Sequence, residues 1–244
     1  MTQDTARIPG STIGILSGMG PLAGSDVLQK ILAYAAQEYG AVEDAEYPDV
    51  VLISHGFDGF DAQGTISHDL EQKLVQVIQQ LESVGATHIG VACNTAHACL
   101  DAMRQACNLP IANLPEETAK QAAKQPGNYL LITSHAAREA ELYPTAMKAA
   151  GVDFTELSDE DQKIADEVIG LVMAYRLPEA GQKIAELVAP HLHKVDGVIA
   201  GCTELPIAFD FSGNIVKDKL YVDSNQVLAQ ALADQCYTRA AVAV

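Results

Sequence analysis

Tryptophan is absent from this sequence and aromatic residues make up only 5% of it, so core volume must come from Ala, Val, Ile and Leu. Basic residues are scarce: 15 Lys and Arg stand against 32 Asp and Glu, a formal charge of −17. That deficit argues against a nucleic-acid or anionic-membrane surface, since both need basic patches. It leaves room for an anionic small molecule, because converging backbone N–H groups can hold a carboxylate. No apolar run approaches the roughly 20 residues that span a bilayer, and Met1 to Pro9 lacks the apolar stretch of a secretory signal. The five cysteines, Cys93, Cys99, Cys107, Cys202 and Cys236, are odd in number and irregularly spaced, unlike a disulfide framework. These absences predict a cytoplasmic, reduced protein with neither nucleic acid nor membrane as partner.

What is present fits an ordinary globular chain. Its 244 residues, 48% hydrophobic and 19% charged, suffice for a sizeable core in one large domain or two small ones. After a polar stretch over 1–10, the apolar run from Thr12 to Leu16 ends in Ser17-Gly18-Met19-Gly20-Pro21, followed by helical periodicity to about Gln37. This strand–glycine loop–helix order opens a βαβ unit. The glycine loop matches neither GxGxxG nor GxxxxGK(S/T), so a nucleotide site is weakly supported. A strand over 50–54, a glycine-broken connection from His55 to Gly64 that could lie over a pocket, a helix from Ser67 to Ser83 and an apolar run before Cys93 follow. The pattern then restarts: a short crossing strand at Ile111, a helix over 116–124, a strand over 129–133, a helix over 136–150 and a strand over 152–157. Helices over 159–175 and 178–191 and a strand over 195–200 lead to Cys202. Tyr221 to Asn225 is expected to open a last helix, 226–240, that returns to pack on the first half. Alternating strands and helices imply parallel sheets with helices on both faces. The two halves read as a duplicated α/β unit with a pseudo-twofold axis, divided as 11–108 plus 216–244 and 109–215.

Cys93 and Cys202 stand out because each follows a strand and sits among small and polar residues, in Ala92-Cys-Asn-Thr-Ala-His97 and Ala200-Gly-Cys-Thr-Glu-Leu205. Open α/β sheets bind ligands at the carboxyl ends of their strands. A lone cysteine is usually a small hydrophobe, and Cys99, Cys107 and Cys236, on helical stretches or their ends, are left as such. A metal site from Cys93, His97 and Cys99 has no common zinc spacing. His97, four residues from Cys93, reads as structural rather than as a base. Two thiols facing each other across a cleft suit removal of a proton from one face of a carbon and its return on the other. Backbone N–H groups after Gly18, Asn94 and Thr203 could hold an amino acid's α-carboxylate. No cofactor is needed for such chemistry, and no pyridoxal phosphate motif is visible.

With Ile13-Gly-Ile-Leu-Ser-Gly-Met-Gly-Pro21, these two motifs give the chain, over about 11–240, a strong resemblance to the aspartate/glutamate racemase family. The resemblance implies two flavodoxin-like, doubly wound subdomains with the active site in the cleft between them. It also implies cofactor-independent racemisation by two cysteines, and commonly a homodimer. By motif, Cys93 and Cys202 inherit the acid/base roles, while Met19, Asn94, Thr95, Thr133 and Thr203 inherit substrate contacts. Lys163 stands where members often carry a lysine near the distal carboxylate of the substrate. One departure concerns the second strand, where some aspartate-specific members carry an arginine just after its proline. Here the chain reads Tyr47-Pro48-Asp49. An acid facing the substrate would repel a second carboxylate and attract an ammonium, so Asp49 becomes a candidate contact for a basic or other side chain. Rival readings are a superfamily isomerase, decarboxylase or hydantoin racemase with the same cysteines, and a binding protein without catalysis.

Overall fold

The computed structural model describes residues 6–57 and 67–238. After a two-residue strand β1 (Ala6–Arg7), the first half consists of β2 (Thr12–Ser17), α1 (Pro21–Tyr39), β3 (Asp49–Ser54), α2 (His68–Ser83), β4 (His88–Val91), a 3-10 turn at Thr95–Cys99 and α3 (Leu100–Ala106). α4 (Leu114–Ala123) leads to β5 (Asn128–Ile132), α5 (His135–Glu139), α6 (Leu142–Ala150), β6 (Asp153–Glu156), α7 (Asp159–Met173), α8 (Leu177–Val188), β7 (Gly197–Ala200) and α9 (Leu205–Asp210). The chain then forms β8 (Leu220–Asp223), α10 (Ser224–Ala233) and β9 (Tyr237–Thr238).

Local chemistry explains the boundaries. Ser67 caps α2, its hydroxyl accepting from the Leu70 N–H at 3.1 Å, and Leu70, Leu74, Val77, Ile78 and Leu81 form the buried stripe. The helix expected over 136–150 is broken instead at Ala140-Glu141. Pro144 has no N–H to give the Ala140 carbonyl and its ring would clash there, so the chain restarts as α6 with Glu141 at φ 48°.

The two sheets are parallel and share one strand order. The first runs β3-β2-β4 and the second β6-β5-β7-β8. The short strand expected at Ile111 is a single parallel bridge to Ile89, at the place in the first sheet that β8 occupies in the second. β4 and β7 are buried on both faces, which is why they read as unbroken apolar runs. Each half then lends a helix to the other: α4, after the first sheet, packs on α6, and α10, after the second, packs on α1, with α4 and α10 touching each other. One apolar cluster accordingly runs through both halves, from Ile13, Val27 and Ile31 to Tyr129, Leu131, Ile199 and Leu228. Two further clusters lie beneath the outer helices.

The C-terminal segment differs from expectation in two places. Leu220 to Asp223 joins the second sheet, and only then does a helix begin, Asp223 both ending the strand and capping α10 through the Gln226 N–H at 3.0 Å. α10 stops at Ala233, and Tyr237–Thr238 pairs antiparallel with Ala6–Arg7, so part of the polar N-terminal stretch is a strand. The expected return of the last helix to the first half is what the structure shows: its Leu232 lies so close to Gly90 of β4 that a Cβ there would come within 2.6 Å. Among the described residues no helix is long and apolar enough to cross a membrane.

Candidate active site

Register places the candidate residues. Leu16 pairs with Val91 and Ile132 with Ala200, so the glycine loop and Cys93 leave the first sheet side by side, as Thr133 and Cys202 leave the second. β4 and β7 hold the same place in their sheets. Cys93 and Cys202 therefore occupy equivalent positions, and both are buried. They are also near enough for charge on Cys93 to disfavour charge on Cys202.

The glycine loop is shaped by its neighbours. Gly18 has φ 117°, and a Cβ there would lie 1.9 Å from the His55 carbonyl oxygen, so only glycine fits. The His55 N–H donates to the Ser17 carbonyl at 3.0 Å, tying the start of the 55–64 connection to this loop; residues 58–66 lie outside the described residues. Two residues on, the Gly20 N–H donates to Glu204 Oε1 at 3.0 Å, linking the first-half loop to the turn that carries Cys202.

Glu204 is the hub of that turn. It is 3% exposed, and its Oε2 accepts from Cys202 Sγ at 3.1 Å and from Thr203 Oγ1 at 3.0 Å. Behind it Asn225 donates to the Thr203 carbonyl at 2.8 Å and to Asp26 at 2.6 Å. Lys30 pairs with Asp26 at 2.6 Å and with Asp223 at 2.8 Å. Burial opposes charge on Lys30, but the Asp223 and Asp26 carboxylates together hold its ammonium above the usual lysine range.

On the Cys93 side, the Tyr143 hydroxyl donates to Asn94 Oδ1 at 2.6 Å, and Asn94 Nδ2 donates to Ser224 at 3.3 Å, so Asn94 is held from both ends. Thr95 shares a hydrogen bond with Ser134 at 3.0 Å. His97 faces the Cys93 carbonyl through Nδ1 at 2.9 Å and the Ala112 carbonyl through Nε2 at 3.3 Å, and burial lowers its pKa. That is the backbone-supporting part expected of it. Among the described residues no group of three or more His, Cys, Asp or Glu is placed to hold a metal ion.

The electrostatics of the thiols differ. Burial pushes Cys93 up to about 12, and the Glu204 carboxylate adds to the rise, against the N–H groups of Ala96 and Thr95, which favour the thiolate. Cys202 is raised well above its ordinary value, first by burial, then by the charge and hydrogen bond of Glu204.

A model of the Asp/Glu/hydantoin racemase family matches residues 16–232. The chain belongs to that family. Racemases are isomerases, and the fold is the family's α/β architecture of two subdomains related by pseudo-twofold symmetry. The chain is similar to the broad-specificity amino-acid racemase RacX of Bacillus subtilis (strain 168), 26% identical over 90% of this chain and 95% of that protein. Its fold matches Picrophilus torridus aspartate racemase with a TM-score of 0.81, at 24% identity over 94% of this chain and 96% of that one. It also matches an aspartate racemase homologue from Pyrococcus horikoshii OT3, with a TM-score of 0.74 at 23% identity over 93% and 99% of the two chains.

The family's expected contacts fall into three groups. Gly18, Met19, Asn94, Thr95, Thr133 and Thr203 lie at the strand ends around the cysteines, all of them buried except the half-buried Gly18. Lys163 is exposed on α7; its neighbour Gln162 is the residue that reaches the Thr133 loop, donating to the Thr133 carbonyl at 2.9 Å. Asp49 is a correction. It begins β3, paired with Thr12 at the amino ends of the strands, whereas Ser17 and Ser54 pair at the carboxyl ends where the cysteines lie. Five residues of strand, about 16 Å, separate it from that edge, and its carboxylate is engaged by Arg7. Its case as a substrate contact falls with that placement.

Glu204 and Gln162 were missed as functional candidates. Each carried a signal, since Gln162 shares the helical phase of the buried Ala165, Val168 and Val172. Glu204 is an acid set between a cysteine motif and the apolar run Leu205-Pro-Ile-Ala-Phe. A polar residue in an apolar phase must find a partner when buried, and both have one.

Proposed function

We propose that this chain is an amino-acid racemase in which Cys93 and Cys202 exchange the Cα proton from opposite faces, without a cofactor. The observation that carries the reading is the equivalence of the two thiols: each follows the same strand of its sheet and each is buried. One thiol must act as base while the other acts as acid, and similar groups serve because reactant and product are mirror images. The backbone N–H groups after Gly18, Asn94 and Thr203, with Met19, Thr95 and Thr133 alongside, supply the contacts for the α-carboxylate and orient Cα. Two subdomains, about 11–108 with the last helix and about 109–215 with β8, close around the substrate, and the working unit is a homodimer.

Asp49, placed outside the site, no longer favours a basic side chain. The family favours an acidic one, while the likeness to RacX leaves a wider range within the reading. The test is a panel of acidic, basic and neutral amino acids in D2O, with a hydantoin and a malonate as controls, read by chiral chromatography and Cα–H exchange. Inversion with exchange is expected for at least one amino acid, and Cys93→Ser or Cys202→Ser should lower the rate by at least about a hundredfold. A panel with neither exchange nor inversion would refute it.

A further inference from the structure

The two thiols occupy equivalent places but not equivalent surroundings, and the difference centres on one buried carboxyl group. Glu204 receives hydrogen bonds from the first-half glycine loop (Gly20 N–H, 3.0 Å), from its neighbour Thr203 (3.0 Å) and from the Cys202 thiol (3.1 Å). A carboxyl fixed by an N–H and an O–H donor is oriented as an acceptor, so the S–H of Cys202 has a ready partner and a thiolate there would face an adjacent charge. Cys93 differs in degree: the N–H groups of Ala96 and Thr95, at the start of the 3-10 turn after β4, favour its thiolate where Cys202 has only the Glu204 N–H, and the Glu204 carboxylate acts on Cys93 through space without a hydrogen bond. Among the described residues, the groups that face Cys202 are Glu204 from its own turn, Cys93 from the end of β4 and Tyr143 from α6.

We infer that Glu204 is a positioning residue that keeps Cys202 in the thiol form and thereby fixes the order in which the two cysteines ionise, Cys93 first. On the racemase reading above, Cys93 is then the thiol that yields its proton first and serves as base, while Cys202 keeps its proton as the acid. The Gly20–Glu204 hydrogen bond joins this setting to the substrate loop of the other half, so the carboxylate cannot turn away from the thiol without breaking a contact between halves.

The order can be read without substrate. The full chain is alkylated with short pulses of iodoacetamide between about pH 7 and 12.5, and each cysteine-containing peptide is followed by mass spectrometry. The midpoint of the rate against pH reports thiolate formation independently of how accessible the sulfur is. In the wild type the Cys93 midpoint should lie below that of Cys202. In Glu204→Gln the Cys202 midpoint should fall by about one pH unit or more, and that of Cys93 by less. Glu204→Asp, which keeps the charge but withdraws it from the sulfur, should give a smaller fall in the same direction. A Cys202 midpoint at or below that of Cys93 in the wild type, or an unchanged one in a folded Glu204→Gln protein, overturns the proposal. The wild-type order decides it even if neither variant folds. Cα–H exchange run in parallel separates the two ideas: exchange without the order refutes the role of Glu204, and the order without exchange refutes racemisation.

Discussion

Replacing Tyr143 by Phe isolates the contact that holds the Cys93 loop to the second half. Tyr143 is fully buried on α6, and its hydroxyl donates to Asn94 Oδ1 at 2.6 Å. Of its other neighbours, Thr118 Oγ1 lies at 3.5 Å and already donates to the Leu114 carbonyl at 2.8 Å, and Ser224 sits at the amide-nitrogen end of Asn94, whose Nδ2 donates to it at 3.3 Å, so neither replaces the lost donor. Asn94 is 1% exposed, which keeps water from replacing it either. The variant therefore leaves a buried amide oxygen without a donor, a loss of about 1–3 kcal/mol. For a chain of this size that lowers Tm by roughly 2–12 °C. Differential scanning calorimetry of the wild type, Tyr143→Phe, Asn94→Ala and the double variant closes the cycle. Once Asn94 is truncated, removing the hydroxyl should cost less, with a coupling of about 1 kcal/mol. A Tm unchanged by Tyr143→Phe, or additive effects of the two substitutions, would refute the assignment of this hydrogen bond.

Two further outcomes follow from the geometry. Asp49→Asn should leave the profile of accepted amino acids as it is and alter stability by less than about 1 kcal/mol, because the Arg7 pair is on the surface and at the far end of β3; a changed profile in the panel assay would put Asp49 back in the site. Alkaline pH should destabilise the fold through its buried thiols. Cys93 is raised from 9.0 to about 12 by burial, so the unfolded chain releases this proton first, and the stabilisation is complete below pH 9 and lost as pH rises towards 12. Urea unfolding at about pH 8 and pH 10.5 should show a decline smaller by about 2 kcal/mol in Cys93→Ala than in the wild type, and equal declines would show that burial does not set this thiol.

Much of the fold was legible because local and global signals agree in it. The runs before Ser17 and Cys93 are unbroken because both faces of those strands are buried, and the Ser67 cap marks its helix as written. Where one residue serves two elements the reading slipped: Asp223 ends β8 and caps α10, so the strand was absorbed into the helix. Asp49 failed for another reason. A position beside a proline says nothing about which end of a parallel strand it occupies, and only the register with Thr12 supplies that. Glu204 escaped because its partners are 184 residues away at Gly20 and next door at Cys202 and Thr203, and only the fold brings them to one carboxyl group.

Pseudo-symmetry and its violation have separate causes here. Two enantiomers have the same free energy, so a racemase must have equal kcat/KM in both directions; on the proposed mechanism a duplicated fold sets one thiol on each side of Cα. An amino acid is itself not symmetric about the plane between those thiols, since its carboxylate, ammonium and side chain occupy fixed corners. The flanking sequences need not match, therefore, and they do not: Asn-Thr-Ala after Cys93 presents the N–H groups of Thr95 and Ala96, whereas Thr-Glu after Cys202 presents one N–H and a carboxyl group hydrogen-bonded to the thiol. With kcat/KM constrained, a difference between the thiols can appear only in kcat and KM taken separately, both shifting together between the two directions. Removing the Glu204 charge should bring the kcat values for the two enantiomers closer while leaving their kcat/KM values equal. That split separates a residue that sets the proton inventory from one that merely holds the loop, since loss of packing lowers both directions alike.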